Sequence, residues 1–304
     1  MIYTITLNPS LDYYIQSDSE IKTTVPNKIH SCRFKAGGKG INVLRMLKCL
    51  HGGNFEGKAL GFTAGFTGDH IEDLLKGEGL DCDFVRTDGQ TRVNVKLSGN
   101  TCAEFNASGQ SVCRFDFELL LSKLDGISSD DTVIISGSTP DCRSDMYAEL
   151  SERVTSKGAL CICDTTKNDL ITVCKNGVFL VKPNVYELAE ITNEPLIKGA
   201  LSLCNMGCEN VLLSDGGKGG YLINKDNILY CDVPVKRTVY NTVGAGDSML
   251  AGFVYGKCMK MSDADCLKSA VAAGSSSAYT PISQELDILL YDEIFQKCSV
   301  TRLN

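Results

Sequence analysis

The feature that most constrains this chain is an alternation. Short β-branched runs are followed repeatedly by segments whose apolar residues recur at helical spacing: residues 2–7 precede 40–50, and 59–63 precede 69–76. The rhythm resumes with strand-like runs at 132–136, 159–163, 178–181 and 210–214. Each of these is followed by polar or Gly-rich residues and then a helix-like stretch. Such a pattern predicts an α/β fold, a parallel sheet covered by helices, with ligand-binding loops at the carboxyl ends of the strands. Within 40–50, Val43, Leu44, Leu47 and Leu50 share one helical face, and His51-Gly52-Gly53 supplies the stop.

Two regions break the rhythm. Residues 13–35 and 84–114 are rich in strand formers without intervening helices. Between Thr91 and Leu97 the alternation is strict, with Val93, Val95 and Leu97 on one face and Arg92, Asn94 and Lys96 on the other. They are expected to form a small β-sheet lid on a single domain spanning 1–304.

Composition narrows the partners. With 304 residues, 43% of them hydrophobic, the chain can bury a large core, while a formal charge of −7 opposes general affinity for nucleic acid or anionic membrane. An anionic substrate must therefore meet a local cluster of cations and backbone N–H groups. The fifteen cysteines are odd in number and follow no secretory leader, so reduced thiols in a cytoplasmic protein are expected. No C-x-x-C occurs and His30, His51 and His70 are widely spaced, so no structural metal is expected. The N-terminus reads as a strand rather than a signal peptide, and no apolar run approaches the ~18 residues of a membrane span.

Three stretches carry chemistry. In Asn241-Thr242-Val243-Gly244-Ala245-Gly246-Asp247-Ser248, small residues open a helix marked by Met249, Leu250, Phe253 and Val254. Glycines there let N–H groups approach an anion, the helix adds its positive dipole end, and Asp247 in the first turn is either a dipole-favoured carboxylate or a base. A second turn, Gly37-Gly38-Lys39-Gly40, opens the helix bearing Asn42 and offers a point charge and a two-way amide. By itself it is also a common turn. Asp12, beyond the first strand, could bind sugar hydroxyls or simply form a turn. The P-loop-like stretch 52–59 has Ala59 in place of a magnesium-ligating Ser/Thr and runs from helix into strand, so it is rejected. A dinucleotide fingerprint fails at 244–249 for want of its third glycine.

Taken together, Gly-Gly-Lys-Gly-Ile-Asn at 37–42, Lys182-Pro183-Asn184-Val185-Tyr186-Glu187 and Gly-Ala-Gly-Asp at 244–247 resemble the ribokinase-like carbohydrate kinases, also called the PfkB family. The similarity runs over almost the whole chain. Thr6-Leu7-Asn8-Pro9-Ser10-Leu11-Asp12 and Thr91-Arg92-Val93-Asn94-Val95-Lys96 look like the branch containing 1-phosphofructokinase and tagatose-6-phosphate kinase. That resemblance implies a three-layer α/β/α core with a mostly parallel sheet, a β-lid over the sugar, ATP with magnesium, and a homodimer through the lid. The implied reaction is ATP-dependent phosphorylation of a sugar phosphate, fructose 1-phosphate first. Tagatose 6-phosphate, fructose 6-phosphate and a non-catalytic sugar-phosphate sensor are the alternatives.

Carried over by position, the resemblance makes Asp247 the base and the amides of Gly244, Ala245 and Gly246 the anion hole. Asp12, Gly38, Lys39 and Asn42 surround the sugar, with Arg92 and Ser138 near its phosphate. Lys182 and Asn184 face the nucleotide, and Asn184 and Glu187 match the N-x-x-E element that positions magnesium through water. Further nucleotide contacts fall to Ser214, Gly216, Gly219, Thr242, Val243, Ala273 and Gly274. Departures from the branch pattern stand at 104–109, at Asp164-Thr165-Thr166-Lys167 and at Lys218. Because the acceptor hydroxyl becomes acidic as the new P–O bond forms, Asp247 is expected to be an ordinary, ionised carboxylate, and Lys39 and Arg92 are expected to hold the ester phosphate together.

Overall fold

The computed structural model describes residues 1–17, 21–22, 24–52, 55–99, 103–140, 145–281 and 287–303. Residues 18–20, 23 and 100–102 of the expected lid, and Gly53 and Asn54 of the P-loop-like stretch, lie outside them.

Eleven strands form the main sheet. Across it run Val300–Arg302, Ile228–Cys231, Gly220–Ile223, Asn210–Ser214, Leu180–Val181, Leu160–Asp164, Thr132–Ser136, Ile2–Thr6, Gly57–Thr63 and Asp81–Cys82, with Val85–Arg86 pairing the far end of Gly57–Thr63. Every pairing from Asn210–Ser214 to Asp81–Cys82 is parallel. The last three strands on the opposite side are antiparallel, closed by a turn in which Asn224 Oδ1 accepts from the amides of Asp226 and Asn227.

Side-chain alternation splits the core in two. Ile5, Val133, Ile135, Cys161, Cys163, Val181, Val211 and Leu213 point to one face, where they meet Phe117, Leu120, Tyr147, Leu150, Leu170 and Leu203 from four helices between Arg114 and Met206. Ile134, Ile162, Leu180 and Leu212 point to the other, against Val43 and Leu47 of Lys39–His51 and against helices Ala245–Cys258, Asp263–Tyr279 and Ile288–Lys297. Each fully buried Leu or Ile contributes roughly 1.5–3 kcal/mol, so a strand with apolar residues at every position is held only when both faces are covered. The result is a three-layer α/β/α sandwich.

A separate four-stranded sheet, ordered Ser31–Gly37, Ser10–Ser17, Val93–Gly99, Ala103–Phe105, lies over helices Lys39–His51 and Gly65–Gly77 through a third core of Leu11, Ala36, Ile41, Leu44, Ile71 and Leu75. Its register puts Tyr13, Phe34, Val95 and Phe105 on one face and Asp12, Lys35, Asn94 and Lys96 on the other. Among the described residues all cysteines are free, and no helix is long and apolar enough to cross a membrane.

Candidate active site

Chain direction sets the site. From Ile2–Thr6 the sheet grows one way to Gly57–Thr63 and then the other way from Thr132–Ser136, which makes the carboxyl ends of these strands a topological switch point. Asn8, Ser138, Asp164, Lys182 and Ser214 stand at or just past the carboxyl ends of five consecutive strands.

Asp247 is only 6% exposed and lies in the first turn of Ala245–Cys258. Its Oδ2 accepts from Asn42 Nδ2 at 2.9 Å, so the Gly-Gly-Lys-Gly helix and the Gly-Ala-Gly-Asp helix meet at their N-terminal ends. Burial, and next the charge of Asp164, push the Asp247 carboxyl up to about 6 against the pull of Asn42, Lys39 and Lys182. This corrects the expectation of an ordinary carboxylate: desolvation in the crevice costs the ionised form more than its neighbours return.

Asp164 is the residue whose role sequence reasoning missed. It is fully buried at the end of Leu160–Asp164, and its Oδ1 lies 3.3 Å from Lys39 Nζ and 3.5 Å from Lys182 Nζ. Its other oxygen has no hydrogen-bond partner among the described residues. Burial works to raise its pKa, but the two ammoniums outweigh burial and the net displacement is downward. Lys39 is displaced upward, by Asp164 first, with Asp247 and Glu187 assisting and burial opposing. The ammonium expected to hold the ester phosphate therefore pairs with a carboxylate that also holds Lys182, within the field of Asp247 and Glu187. The sequence signal was present: Asp164 ends an apolar strand, where a carboxylate needs a partner.

The helix start forms a cradle. Gly244 has φ 81, a left-handed conformation that suits glycine, and its carbonyl accepts from the Ser248 amide. The Ala245 amide turns back to the Thr242 carbonyl at 3.2 Å. Among the described residues no acceptor engages the amides of Gly244, Gly246 and Asp247, so of the three amides expected to be donors only that of Ala245 is taken, and Asp247 adds another. A Cβ on Gly246 would lie 3.2 Å from Lys182 Nζ, which puts that ammonium against the cradle.

The other expected residues divide. Asn184 and Glu187 form a reciprocal capping box on Val185–Ala189: Asn184 Oδ1 accepts from the Tyr186 and Glu187 amides, and Glu187 Oε2 accepts from the Asn184 amide at 2.8 Å. Ser214 is bridged to Asn184, and its amide donates to Pro183. Gly216 opens a single 3₁₀ turn, Gly216–Lys218, which Gly219 closes by accepting from the Asp215 amide. Thr242 and Val243 are exposed beside the cradle. Ala273 is fully buried against the Ala245–Cys258 helix, and Gly274 permits that helix crossing, since a Cβ there would lie 3.1 Å from the Ala245 carbonyl oxygen. Their smallness lets the two helices pack closely.

At the lid, Asp12 is not in a turn but inside strand Ser10–Ser17, buried, with its carboxylate held by Lys96 Nζ at 2.8 Å, Ser10 Oγ at 2.6 Å and Asn94 Nδ2 at 3.1 Å. Gly38 packs on Thr6, where a Cβ would meet Cγ2 at 2.5 Å. Arg92 donates to three carbonyls, of Asn8 (2.8 Å), Ala107 (3.0 Å) and Pro9 (3.3 Å), so it clamps the strand end to the segment after the lid while two N–H groups remain. Ser138 accepts from Asn8 Nδ2 at 3.4 Å.

The family model for pfkB family carbohydrate kinases matches residues 6–285. The chain is 37% identical over 286 residues to 1-phosphofructokinase of Borreliella burgdorferi, covering 91% of this chain and 92% of that one. It is 32% identical over 312 residues to D-tagatose-1-phosphate kinase of Bacillus licheniformis, covering all of both. The solved structure of phosphofructokinase-2 from Escherichia coli in complex with fructose-6-phosphate superposes with a TM-score of 0.87 at 26% identity, covering 97% of this chain and 98% of that one. The Bacillus licheniformis relative is named for tagatose 1-phosphate. The chain belongs to the pfkB family of carbohydrate kinases.

Proposed function

We propose that the chain transfers the γ-phosphoryl group of ATP to the C6 hydroxyl of fructose 1-phosphate, giving fructose 1,6-bisphosphate and ADP. The observation that carries the reading is the convergence of a buried carboxylate, Asp247, with two ammoniums, Lys39 and Lys182, at the start of one helix. Phosphoryl transfer has a loose transition state, so positioning and charge neutralisation do most of the work. The Gly246 and Asp247 amides and Lys182 suit the transferring group. A fixed donor of this kind is worth roughly 2.7–4 kcal/mol in the transition state, against about 0.3–1 for an ordinary dipole contact. As the C6 oxygen bonds to phosphorus and the bond to the ADP oxygen breaks, the hydroxyl proton passes to Asp247. A carboxylate already raised to about 6 accepts it more readily than an ordinary one.

The donor set fits magnesium: the unpartnered Asp164 Oδ2 and Glu187 are hard oxygen ligands. Magnesium that arrives with nucleotide phosphates keeps several waters and needs only one or two carboxylates from the protein. Bound magnesium would neutralise phosphate charge. Ser214, Gly216, Gly219, Thr242, Val243, Ala273 and Gly274 would hold the nucleotide, while Asp12, Gly38, Asn42, Arg92 and Ser138 would surround the sugar phosphate. The small sheet would act as the lid. Its exposed apolar face, with Phe34 at 45%, Val93 at 38% and Phe105 at 64%, would pack on a second copy.

An ADP-release assay against fructose 1-phosphate, tagatose 1-phosphate, tagatose 6-phosphate, fructose 6-phosphate, ribose and adenosine tests the reading. Fructose 1-phosphate should give the highest kcat/KM; preference for ribose or adenosine would overturn it. Light scattering of the same protein should give the mass of a dimer, and a monomer would remove the lid interface.

A further inference from the structure

Asn42 and Arg45 stand three positions apart in the helix Lys39–His51, so their side chains share one face of it. Asn42 donates from Nδ2 to Asp247 Oδ2 at 2.9 Å, and its Oδ1 accepts from Arg45 Nη1 at 3.1 Å. The two ends of a carboxamide are nearly the same size, so packing alone does not choose between this orientation and the one turned by half a revolution. Hydrogen bonding chooses. A guanidinium has donors only and a carboxylate acceptors only, so with Arg45 on one side and Asp247 on the other a single orientation satisfies both ends.

Arg45 is itself held in place. Its Nε donates to Glu78 Oε2 at 2.7 Å and its Nη2 to Glu78 Oε1 at 3.1 Å, a two-pronged ion pair whose side chains are 20% and 32% exposed. Nη2 also donates to the Ala36 carbonyl at 3.0 Å, near the end of the lid strand Ser31–Gly37. Glu78 caps the C-terminal end of Gly65–Gly77, and Lys48, further along the Asn42 helix, donates to the carbonyls of Glu78 and Gly79. An ion pair that merely docked two helices would need no N–H group turned toward the site, yet Nη1 goes to the Asn42 oxygen. Lys35 of the same lid strand stands nearby, its pKa lowered to about 8 by burial first and by Arg45 next.

We infer that Arg45, anchored by Glu78, is a positioning residue: it turns the Asn42 carboxamide so that the NH₂ group faces Asp247 and holds one carboxylate oxygen in place for the acceptor hydroxyl. The inference rests on the reading of Asp247 as the base. Without Arg45 the carboxamide is free to turn, and the turned form sets a carbonyl oxygen against a carboxylate oxygen, two acceptors with no proton between them. Burial and then Asp164 raise the Asp247 pKa, while the Asn42 hydrogen bond, Lys39 and Lys182 lower it. Losing the Asn42 bond therefore raises it further.

The test is a double-mutant cycle of Arg45→Met and Asn42→Ala on the sugar phosphate with the highest kcat/KM in the ADP-release panel, read as the pH profile of kcat/KM and as kcat on the alkaline plateau. Arg45→Met should move the acid limb to higher pH and lower kcat about 10-fold, the size of one hydrogen bond to a charged group, with KM for ATP unchanged. Asn42→Ala should move the limb the same way, and Arg45→Met added to it should shift the limb and kcat no further. A limb unmoved by Arg45→Met would overturn the inference. So would a further shift in the Asn42→Ala background, because a lost charge or a loosened helix end acts whether or not Asn42 is present. Should Arg45→Met fail to give a cooperative melt, Arg45→Lys keeps the charge but cannot hold Glu78 with two prongs and reach Asn42 as well, and it must move the limb in the same direction. If Asp247→Asn turns over normally, the base reading falls by itself. The ¹³Cγ resonance of Asp247, assigned by its loss in that variant, then decides Arg45: a titration raised by Arg45→Met sustains the positioning role, and an unchanged one ends it.

Discussion

Asn42 donates from Nδ2 to Oδ2 of Asp247 at 2.9 Å, joining residues 205 positions apart. The bond fixes one carboxylate oxygen. It ties the two glycine-rich turns into one site.

Asp247→Asn should lower kcat by at least about 100-fold, the lower range for loss of a general base. It should also raise the melting temperature at pH 7 to 8. The sign follows from the displacement: a carboxyl raised from 3.8 to about 6 is disfavoured as an anion in the folded state, so its penalty is absent below the ordinary value and complete above about 6. Two pKa units correspond to roughly 3 kcal/mol. Near-normal turnover would remove the base, and a lower melting temperature would remove the account of its burial.

The acid limb of kcat/KM should lie near pH 6, with activity falling as pH drops and Asp247 protonates. Asp164 pushes that value up and Lys39 pulls it down. Asp164→Asn should therefore shift the limb to lower pH and Lys39→Met to higher pH, whatever each does to the plateau. A pH profile in which both variants move the limb the same way contradicts the electrostatic origin of the shift.

Lys182→Met should reduce kcat by about 100-fold to 1,000-fold, the range for loss of one oriented transition-state donor, with KM for the sugar phosphate changed much less. Initial-rate kinetics at saturating ATP separate the two. A rise in sugar KM with kcat intact would move Lys182 away from the transferring group.

Arg92→Ala should raise KM for the sugar phosphate about 10-fold or more while leaving KM for ATP close to wild type. Arg92→Lys should rescue little, because a single ammonium cannot span the carbonyls of Asn8, Pro9 and Ala107 that the guanidinium fork holds. An unchanged sugar KM in Arg92→Ala would remove Arg92 from the acceptor side.

The sequence by itself determined the layered sheet and the site's two glycine-rich turns. Apolar centres such as Val133-Ile134-Ile135 present hydrophobic side chains to both faces and must be covered on both sides, and strict alternation from Thr91 to Leu97 leaves one face for the lid core and one for Asp12 and Lys35. It was silent on the antiparallel edge formed by Gly220–Ile223, Ile228–Cys231 and Val300–Arg302, because that edge depends on a C-terminal strand returning 69 positions after its partner, from Cys231 to Val300.

Only the tertiary structure decided what the charged and small residues do. Asp164, Lys39 and Lys182 are separated in sequence by 125 and 18 positions, yet one buried carboxylate holds both ammoniums. Gly274 lies where two helices cross, and Asn184 caps the helix that carries Glu187. Local pattern fixes which face of an element is apolar, because that depends on spacing of a few residues. Which charges meet, and at what desolvation cost, depends on how the strand ends are brought together across the whole chain.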